Sequence, residues 1–360
     1  MSMGQALRLC PQLVVVTPNR TAYVEASAAI MKIFTDFTPV VEPLSLDEAF
    51  LDISGAIGLF GRPVEIAKQI RHRIATEQRL TCSVGIASLK SVAKLASGSC
   101  KPNGLRVVPS NGVLEFLHPM PVTALGGVGQ RTAEPLHRLG IRTVADLATT
   151  PLDTLRRAVG AATAAHLHGL ANGRGDRVVS PKEGEKSIST DRTMHSDLLT
   201  EAEVARELLR GAGEVTERLR QIRRVARTVG IKIRFADFTT LTRVRTLAEP
   251  TDASSRVYAE ALELYRGLKL DQPRVRLVGV KVENLRPADQ GIQLALDLAG
   301  TESQQTGAAD RAMDALAARF GDSAVQRASL LALRPIPDQT RTLTRDNRGD
   351  ADGRGHKLRS

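Results

Sequence analysis

Residues Ser45-Leu46-Asp47-Glu48-Ala49-Phe50-Leu51-Asp52 set two adjacent carboxylates inside an otherwise apolar, strand-like run. Acidic side chains are depleted from strands and cost free energy when sheltered from water, so a doublet there asks for a cation. Oxygen-only ligands suit a hard divalent ion such as magnesium. Neighbouring side chains on a straight strand point to opposite faces. Asp47 and Glu48 therefore reach one metal site only where the backbone turns or bulges, and Pro43 and Ser45 just upstream are compatible with such a bend. A surface turn with two solvated acids has the same local sequence. The doublet gains meaning only from what accompanies it.

Apolar spacing divides the chain into helices and strands. Residues 21–37 carry Ala26, Ile30, Ile33 and Phe37 on one helical face, and Pro39 ends that helix. Residues 40–53 read as a strand pair. Pro63 opens a helix with Ile66, Ile70 and Ile74 inward and Lys68, Arg71 and Arg73 outward. Leu80, Cys82, Val84 and Ile86 alternate as a strand, residues 90–99 are helical, and Lys101-Pro102-Asn103-Gly104 turns into a strand over 105–108. This order predicts an α+β unit with helices on one face of a sheet. Residues 110–175 are helical and punctuated by glycine, and 176–186 read as a polar linker. A second β-rich unit follows, with strands near 187–193, 227–247 and 274–285 and helices near 200–222 and 252–267. One more helix is expected near 308–319, with a polar tail beyond Pro335.

Four further segments carry chemistry. Ser83-Val84-Gly85-Ile86-Ala87, with Lys90, Lys94 and Lys101 after it, puts a lysine before a tight turn. There it is either a fixed point charge for a triphosphate or a solvated lysine. Leu125-Gly126-Gly127-Val128-Gly129-Gln130 reads as a glycine hairpin between helices, a shape that lets backbone N–H groups approach a phosphate; an ordinary glycine-capped helix junction reads the same way. Over 227–247, Lys232 and Arg234 alternate with Ile231, Ile233 and Phe235, and Arg243 and Arg245 follow. One sheet face is expected to be apolar and the other basic, able to lie along a duplex, unless the wet face is merely positive. Gln293-Leu294-Ala295-Leu296-Asp297-Leu298 has the form of a short docking peptide or of one more apolar strand. His137, His166 and His168 have no metal-ligand spacing.

A net charge of +11 favours a polyanionic partner, nucleic acid before membrane, although an uninvolved basic surface has the same composition. Aromatic residues make up only 3% and Trp is absent, so base stacking is not the expected binding mode and duplex or backbone contact fits better. Cys10, Cys82 and Cys100 form neither a disulfide framework nor a zinc pattern, which points to a reducing cytoplasm. No apolar run reaches membrane-spanning length, and Met1 to Val16 lacks a signal-peptide layout.

In this order the blocks resemble those of the Y-family DNA polymerases, from about Ser2 to Leu298. The resemblance implies an α+β right-hand polymerase. Residues 1–18 would be a remnant of the fingers and 19–108 an incomplete palm. Residues 109–175 would form the helix-hairpin-helix thumb, 176–186 a linker and 187–286 an α/β little finger. Residues 287–300 would hold the clamp-binding peptide, and 301–360 a tail with one helix, otherwise disordered. By position, Asp47 and Glu48 would be metal ligands for two magnesium ions, with Glu48 the catalytic carboxylate. Lys101 would meet the incoming deoxynucleoside triphosphate, and Gly127 and Gly129 the primer-side backbone. Lys186, Ser187, Lys232, Arg234 and Arg243 would contact DNA, and Gln293, Leu294, Leu296 and Leu298 a sliding clamp. The implied protein is a cytoplasmic monomer that extends primer–template DNA past lesions, with low fidelity and no proofreading.

The sequence departs from the family in places. The family begins with a strand carrying Asp-x-Asp-x-Phe-Phe and then a Tyr-x-x-Arg segment. Neither is found here, and Met1 to Pro11 resembles a point near the end of the fingers. Leu89 stands where the family usually has Asn, and Met194 where it often has Phe. Two cations lacking a bridging anion repel each other. The expectation is therefore a polymerase frame begun at an internal methionine, or a true truncation, with impaired activity. A non-catalytic module that occupies primer–template and the clamp is the alternative, against which retention of Asp47 and Glu48 argues. A nuclease with a helix-hairpin-helix would degrade the primer instead.

Overall fold

The computed structural model describes residues 1–181, 184–271, 273–288, 301–321, 324–325 and 327–330. The chain divides into two compact units, Met1–Glu183 and Gly184–Ser360.

The first unit opens with α1 (Met3–Leu9) and α2 (Arg20–Phe37). Asn19 caps α2 by accepting from the Ala22 backbone N–H at 3.1 Å, and the helix stops just before Pro39. A hairpin of β1 (Val41–Pro43) and β2 (Ala49–Leu51) follows, then α3 (Ile57–Phe60) and α4 (Pro63–Gln78). Proline at the first position suits α4, since its missing N–H has no helical partner there. Ile66, Ile70 and Ile74 recur every four residues and are buried against Ile33 and Phe37 of α2. Next come β3 (Val84–Ile86), α5 (Lys90–Ser99) and β4 (Leu105–Val107). The strands do not form the single sheet that their order suggests. β1 pairs antiparallel with β2, and β3 pairs parallel with β4, as two separate two-stranded sheets. Alternation of apolar residues fixes which side chains turn inward, not which strand lies alongside. The run from Leu80 pairs only from Val84 onward, and Leu80 itself is exposed.

Five helices complete this unit: α6 (Val113–Leu117), α7 (Gln130–Arg138), α8 (Val144–Thr149), α9 (Leu152–Val159) and α10 (Ala161–Ala171). A capping box starts α8: Thr143 Oγ1 accepts from the Asp146 N–H, and Asp146 returns the bond to the Thr143 N–H. Leu136, Leu147, Leu155 and Leu167 are fully buried in a core that also takes in Leu89, Val92 and Ala96 of α5. One apolar core thus joins α5 to the helices after it. A polar strap reinforces the join: Lys90 pairs with Glu42 at 2.9 Å and Asp176 at 2.7 Å, and Glu42 also accepts from the Ser180 N–H.

In the second unit, β5 (Ser187–Leu198), β6 (Arg224–Phe235), β7 (Thr240–Thr251) and β8 (Val275–Pro287) make one antiparallel sheet in the order β5-β8-β6-β7. Helices α11 (Glu201–Gln221) and α12 (Ser254–Arg266) cover one face through Val204, Leu208, Val215, Val257 and Ala261. The last helix, α13 (Thr301–Phe320), is longer than the pattern near 308–319 indicates. Its Asp310 is 3% exposed and accepts from the Ser254 N–H at 2.8 Å and the Ser254 hydroxyl at 2.7 Å. That carboxylate caps α12, whose own N-cap residue, Ala253, has no side-chain acceptor. Arg327 pairs with the same carboxylate and Arg220 with Asp314, so the buried acid is not left uncompensated. No helix among the described residues is long and apolar enough to cross a membrane.

Candidate active site and nucleic-acid faces

The acidic doublet lies on a bend. The Leu44 and Ser45 N–H groups both donate to the Glu48 carbonyl, at 2.9 and 3.3 Å, and close the loop between β1 and β2. Within it the Ser45 hydroxyl donates to Asp47 Oδ1 at 2.6 Å, and the Asp47 N–H donates back to Ser45 Oγ at 3.3 Å. The Ser45 hydroxyl above all holds the Asp47 carboxyl below the usual aspartate range; burial opposes it, and the backbone N–H and the charges of Lys101 and Lys94 add smaller lowering effects. Glu48 forms an ion pair with Lys94 of α5. Lys101 stands at the head of a tight turn that includes a cis peptide bond before Pro102. Gly104 ends that turn, where a β-carbon would lie 1.9 Å from the Cys100 carbonyl oxygen, so only glycine fits.

Asp47, Glu48, Lys94 and Lys101 all line one cavity of about 900 Å³, whose apolar wall includes Leu51 and Ile70. The structure thus brings together the three residues read from the sequence as a metal and triphosphate site. It adds Lys94, whose role the sequence reading missed. The signal was present: Lys90 and Lys94 are four residues apart on one helix face, and both reach acids of the hairpin. Two carboxylates at an open cavity suit a magnesium-type ion, which usually takes one or two carboxylates and completes its shell with water and substrate phosphates. Among the described residues no group of three or more His, Cys, Asp or Glu is placed to hold a metal. The donor set therefore fits one hard cation shared with a phosphate, and offers no further carboxylate to bridge a second.

Gly127 and Gly129 sit on the connection into α7. Gly127 takes φ 91°, and Gly129 is the N-cap, with open space where a side chain would stand. The element before them is a single 3₁₀ turn, Val122–Ala124, rather than a long helix. Together with Thr123 and Gln130, Gly129 borders an open hollow of about 700 Å³ at the start of α7. Backbone N–H groups at such a helix start attract anions.

The uncovered sheet face of the second unit differs from the expectation in two ways. Directly paired residues share a face. Lys232 pairs with Thr242, and Ile231 with Arg243. Arg243 therefore projects on the side of buried Ile231, opposite to Lys232 and Arg234. Arg245 lies on that same covered side and pairs with Glu260 of α12 at 2.9 Å. On the uncovered face Lys232 is neutralised by Asp191 at 2.6 Å, and Lys281 by Glu283 at 2.5 Å. Gly279 makes the first pair possible, because a β-carbon there would stand 2.2 Å from Asp191 Oδ1. Arg234 donates to Thr240 Oγ1 at 3.0 Å. The remaining positions are mainly hydroxyls, including Ser187, Ser189, Thr193 and Thr242. The face is polar, with its lysines paired to acids, rather than strongly basic. Ser187 begins β5 directly after Lys186, on this same uncovered face. Gln293, Leu294, Leu296 and Leu298 lie outside the described residues.

Comparison with known proteins agrees with this organisation. Residues 1–98 match the impB/mucB/samB family, 123–175 match the thumb domain of DNA polymerase-iota, and 185–296 match the impB/mucB/samB family C-terminal domain. The fold is similar to that of a Y-family DNA polymerase chimera of Dbh and Dpo4 segments, with TM-score 0.73 and 25% identity over 80% of this chain and 83% of that one. An insertion ternary complex of Dbh DNA polymerase shares the fold with TM-score 0.56 and 24% identity over the same shares. The chain belongs to the Y family of DNA-directed DNA polymerases, which are nucleotidyltransferases. Within that family its similarity is to DNA polymerase IV proteins. DNA polymerase IV 2 of Mesorhizobium japonicum is 37% identical over 352 residues, spanning 94% of this chain and 85% of the relative. DNA polymerase IV of Desulfatibacillum aliphaticivorans is 37% identical over 331 residues, spanning 92% and 83%. DNA polymerase IV of Listeria monocytogenes serotype 4b is 38% identical over 293 residues, spanning 80% of each.

Proposed function

We propose that this chain extends a DNA primer along a template, past lesions and without proofreading, by metal-assisted nucleotidyl transfer at the Asp47–Glu48 loop. One observation carries the reading: both carboxylates meet Lys94 and Lys101 around a single cavity. The Ser45 hydroxyl lowers the Asp47 pKa and so favours its carboxylate form, the form that serves as an oxygen ligand. Lys101 supplies a fixed positive charge to the triphosphate of an incoming deoxynucleotide. Glu48 would hold the cation in place of its present partner Lys94, and Lys94 would then be able to meet phosphate oxygens. When bound, magnesium neutralises charge on the triphosphate and lowers the pKa of the primer 3′-hydroxyl. The family reaction uses two such ions. The two-carboxylate donor set favours one of them, so incorporation by this chain is expected to be slow.

In this reading residues 19–108 act as palm, 109–175 as thumb and 187–286 as little finger, with 1–18 belonging to the fingers and 176–186 linking the rest. Gly127 and Gly129 approach primer-side phosphates. Ser187, Lys232 and Arg234 follow the DNA backbone with Lys186, without reading sequence. Arg243 reaches DNA only around the sheet edge. Residues 293–298 dock on a sliding clamp, a proposal supported by their sequence and by the family match that extends to residue 296. The protein works as a cytoplasmic monomer.

The test is primer extension with Mg²⁺ and all four deoxynucleoside triphosphates. Slow, template-directed incorporation is expected. DNA binding without any incorporation would favour a non-catalytic occupant of primer–template, and shortening of the primer would favour a nuclease. For the clamp, Gln293→Ala with Leu296→Ala is expected to weaken clamp binding while affinity for bare DNA stays unchanged. Equal clamp affinity in the double variant would remove that part.

A further inference from the structure

We propose that Arg71 is the positioning residue that sets where the Lys101 ammonium stands, an inference that rests on the reading of Lys101 as the triphosphate contact. Helical periodicity groups Arg71 with the outward cations of α4. In the structure it is instead half-buried, with its guanidinium hydrogen-bonded to two other segments of the unit. Its Nε donates to the Cys82 carbonyl at 3.3 Å, in the segment entering β3. Its Nη2 donates to Asn103 Oδ1 at 2.8 Å and also to the Asn103 carbonyl. One guanidinium therefore ties the approach to β3 to the turn that Lys101 heads.

Asn103 turns the chain at φ 49°, a left-handed conformation that asparagine adopts more readily than most residues, and its amide oxygen is held by Arg71. The Gly104 N–H is fixed by Ser83 Oγ at 3.2 Å, whereas the backbone bond of Lys101 itself, to Gly98, is long at 3.5 Å. Arg71 thus supplies two of the close contacts that hold the turn. A lysine side chain is long and flexible, so its charge is useful only where its backbone is fixed. Lys101 acts on Asp47 through that charge, which links the brace to the acidic loop. A lysine at position 71 keeps the charge but loses the rigid fork that spans two carbonyls and an amide.

The experiment is calorimetric titration of the full chain, bound to a primer–template whose primer ends in a 2′,3′-dideoxynucleotide so that binding is read without incorporation, with a deoxynucleoside triphosphate and Mg²⁺. The variants are Arg71→Lys, Lys101→Ala and the pair. Lys101→Ala is expected to weaken binding about tenfold and Arg71→Lys about fivefold. The double variant is expected to bind no more weakly than Lys101→Ala alone, because Arg71 acts only through that lysine. Asn103→Gly, which keeps the backbone and deletes the amide oxygen, is a milder probe, with a loss of about twofold that also vanishes beside Lys101→Ala. If Arg71→Lys folds poorly, this variant decides. Losses that simply add in the double variants, or unchanged affinity in Arg71→Lys and Asn103→Gly beside a weakened Lys101→Ala, overturn the inference alone. An unchanged Lys101→Ala overturns the triphosphate reading beneath it.

Discussion

Around the cavity of the first unit, Asp47, Glu48, Lys94 and Lys101 stand on a hairpin loop, a helix and a turn, beside strands of only three residues each. On the uncovered face of the second unit, Lys232 with Asp191 and Lys281 with Glu283 stand on strands of 12 to 13 residues in one continuous sheet. Both regions pair opposite charges, but on different supports. The cavity's ion pair, Glu48–Lys94, joins a hairpin loop to a ten-residue helix. On the sheet, Lys232–Asp191 bridges from β6 to β5 and Lys281–Glu283 runs along β8, so each pair cancels charge within one continuous ladder. In the proposed function, catalysis and DNA holding thus fall to regions built on elements of very different length.

The comparison can be broken first at the cavity. Glu48→Gln keeps shape and removes charge; incorporation is expected to fall about 100-fold or more while DNA affinity stays unchanged. Parallel loss of DNA affinity would mean that the loop holds DNA rather than nucleotide. On the sheet side, Ile231→Ala removes a side chain that is 1% exposed at the centre of the ladder. A loss of about 3 kcal/mol in chemical unfolding of the second unit is expected. A negligible loss would show that the ladder does not depend on its buried centre.

Smaller effects sharpen the contrast. Asp191→Asn releases Lys232, and DNA affinity at low salt is expected to rise about threefold, with a salt slope steeper by about one ion. A weaker complex would show that Asp191 orders the face rather than neutralising it. Ser45→Ala removes the main cause of the lowered Asp47 pKa. A lowered carboxyl keeps its charge to lower pH than an ordinary aspartate, so the Asp47-dependent acid limb of Mg²⁺-dependent nucleotide binding in the parent chain is expected below the ordinary aspartate range. In Ser45→Ala that acid limb is expected to move to higher pH. A superimposable pH profile would separate Asp47 from nucleotide binding.

Much of this was legible in the sequence where one chemical signal suffices. Pro39 and Pro63 marked helix boundaries, and the isoleucines of α4 marked its buried face. The doublet between Ser45 and Ala49 showed a bend that the Glu48 carbonyl closes. What was hidden depends on pairing between distant segments. Arg243 was grouped with Lys232 because both lie in strands, but the register that opposes Ile231 to Arg243 sends it to the other face. Asp191 lies 41 residues from the lysine it neutralises, and Gly279, which makes room for it, is further still. The separation of β1-β2 from β3-β4 was equally invisible, since three-residue strands carry no register of their own. Arg71 was hidden because periodicity gives the direction of a side chain's root, not the reach of a long guanidinium.

The central claim is that the Asp47–Glu48 loop is where a nucleotide is joined to a primer. Single-nucleotide incorporation with Mg²⁺, comparing the parent chain with Asp47→Ala at saturating primer–template, tests it most directly. The account predicts slow incorporation in the parent and none detectable in Asp47→Ala, with DNA bound equally by both. Incorporation that survives Asp47→Ala unchanged would contradict it.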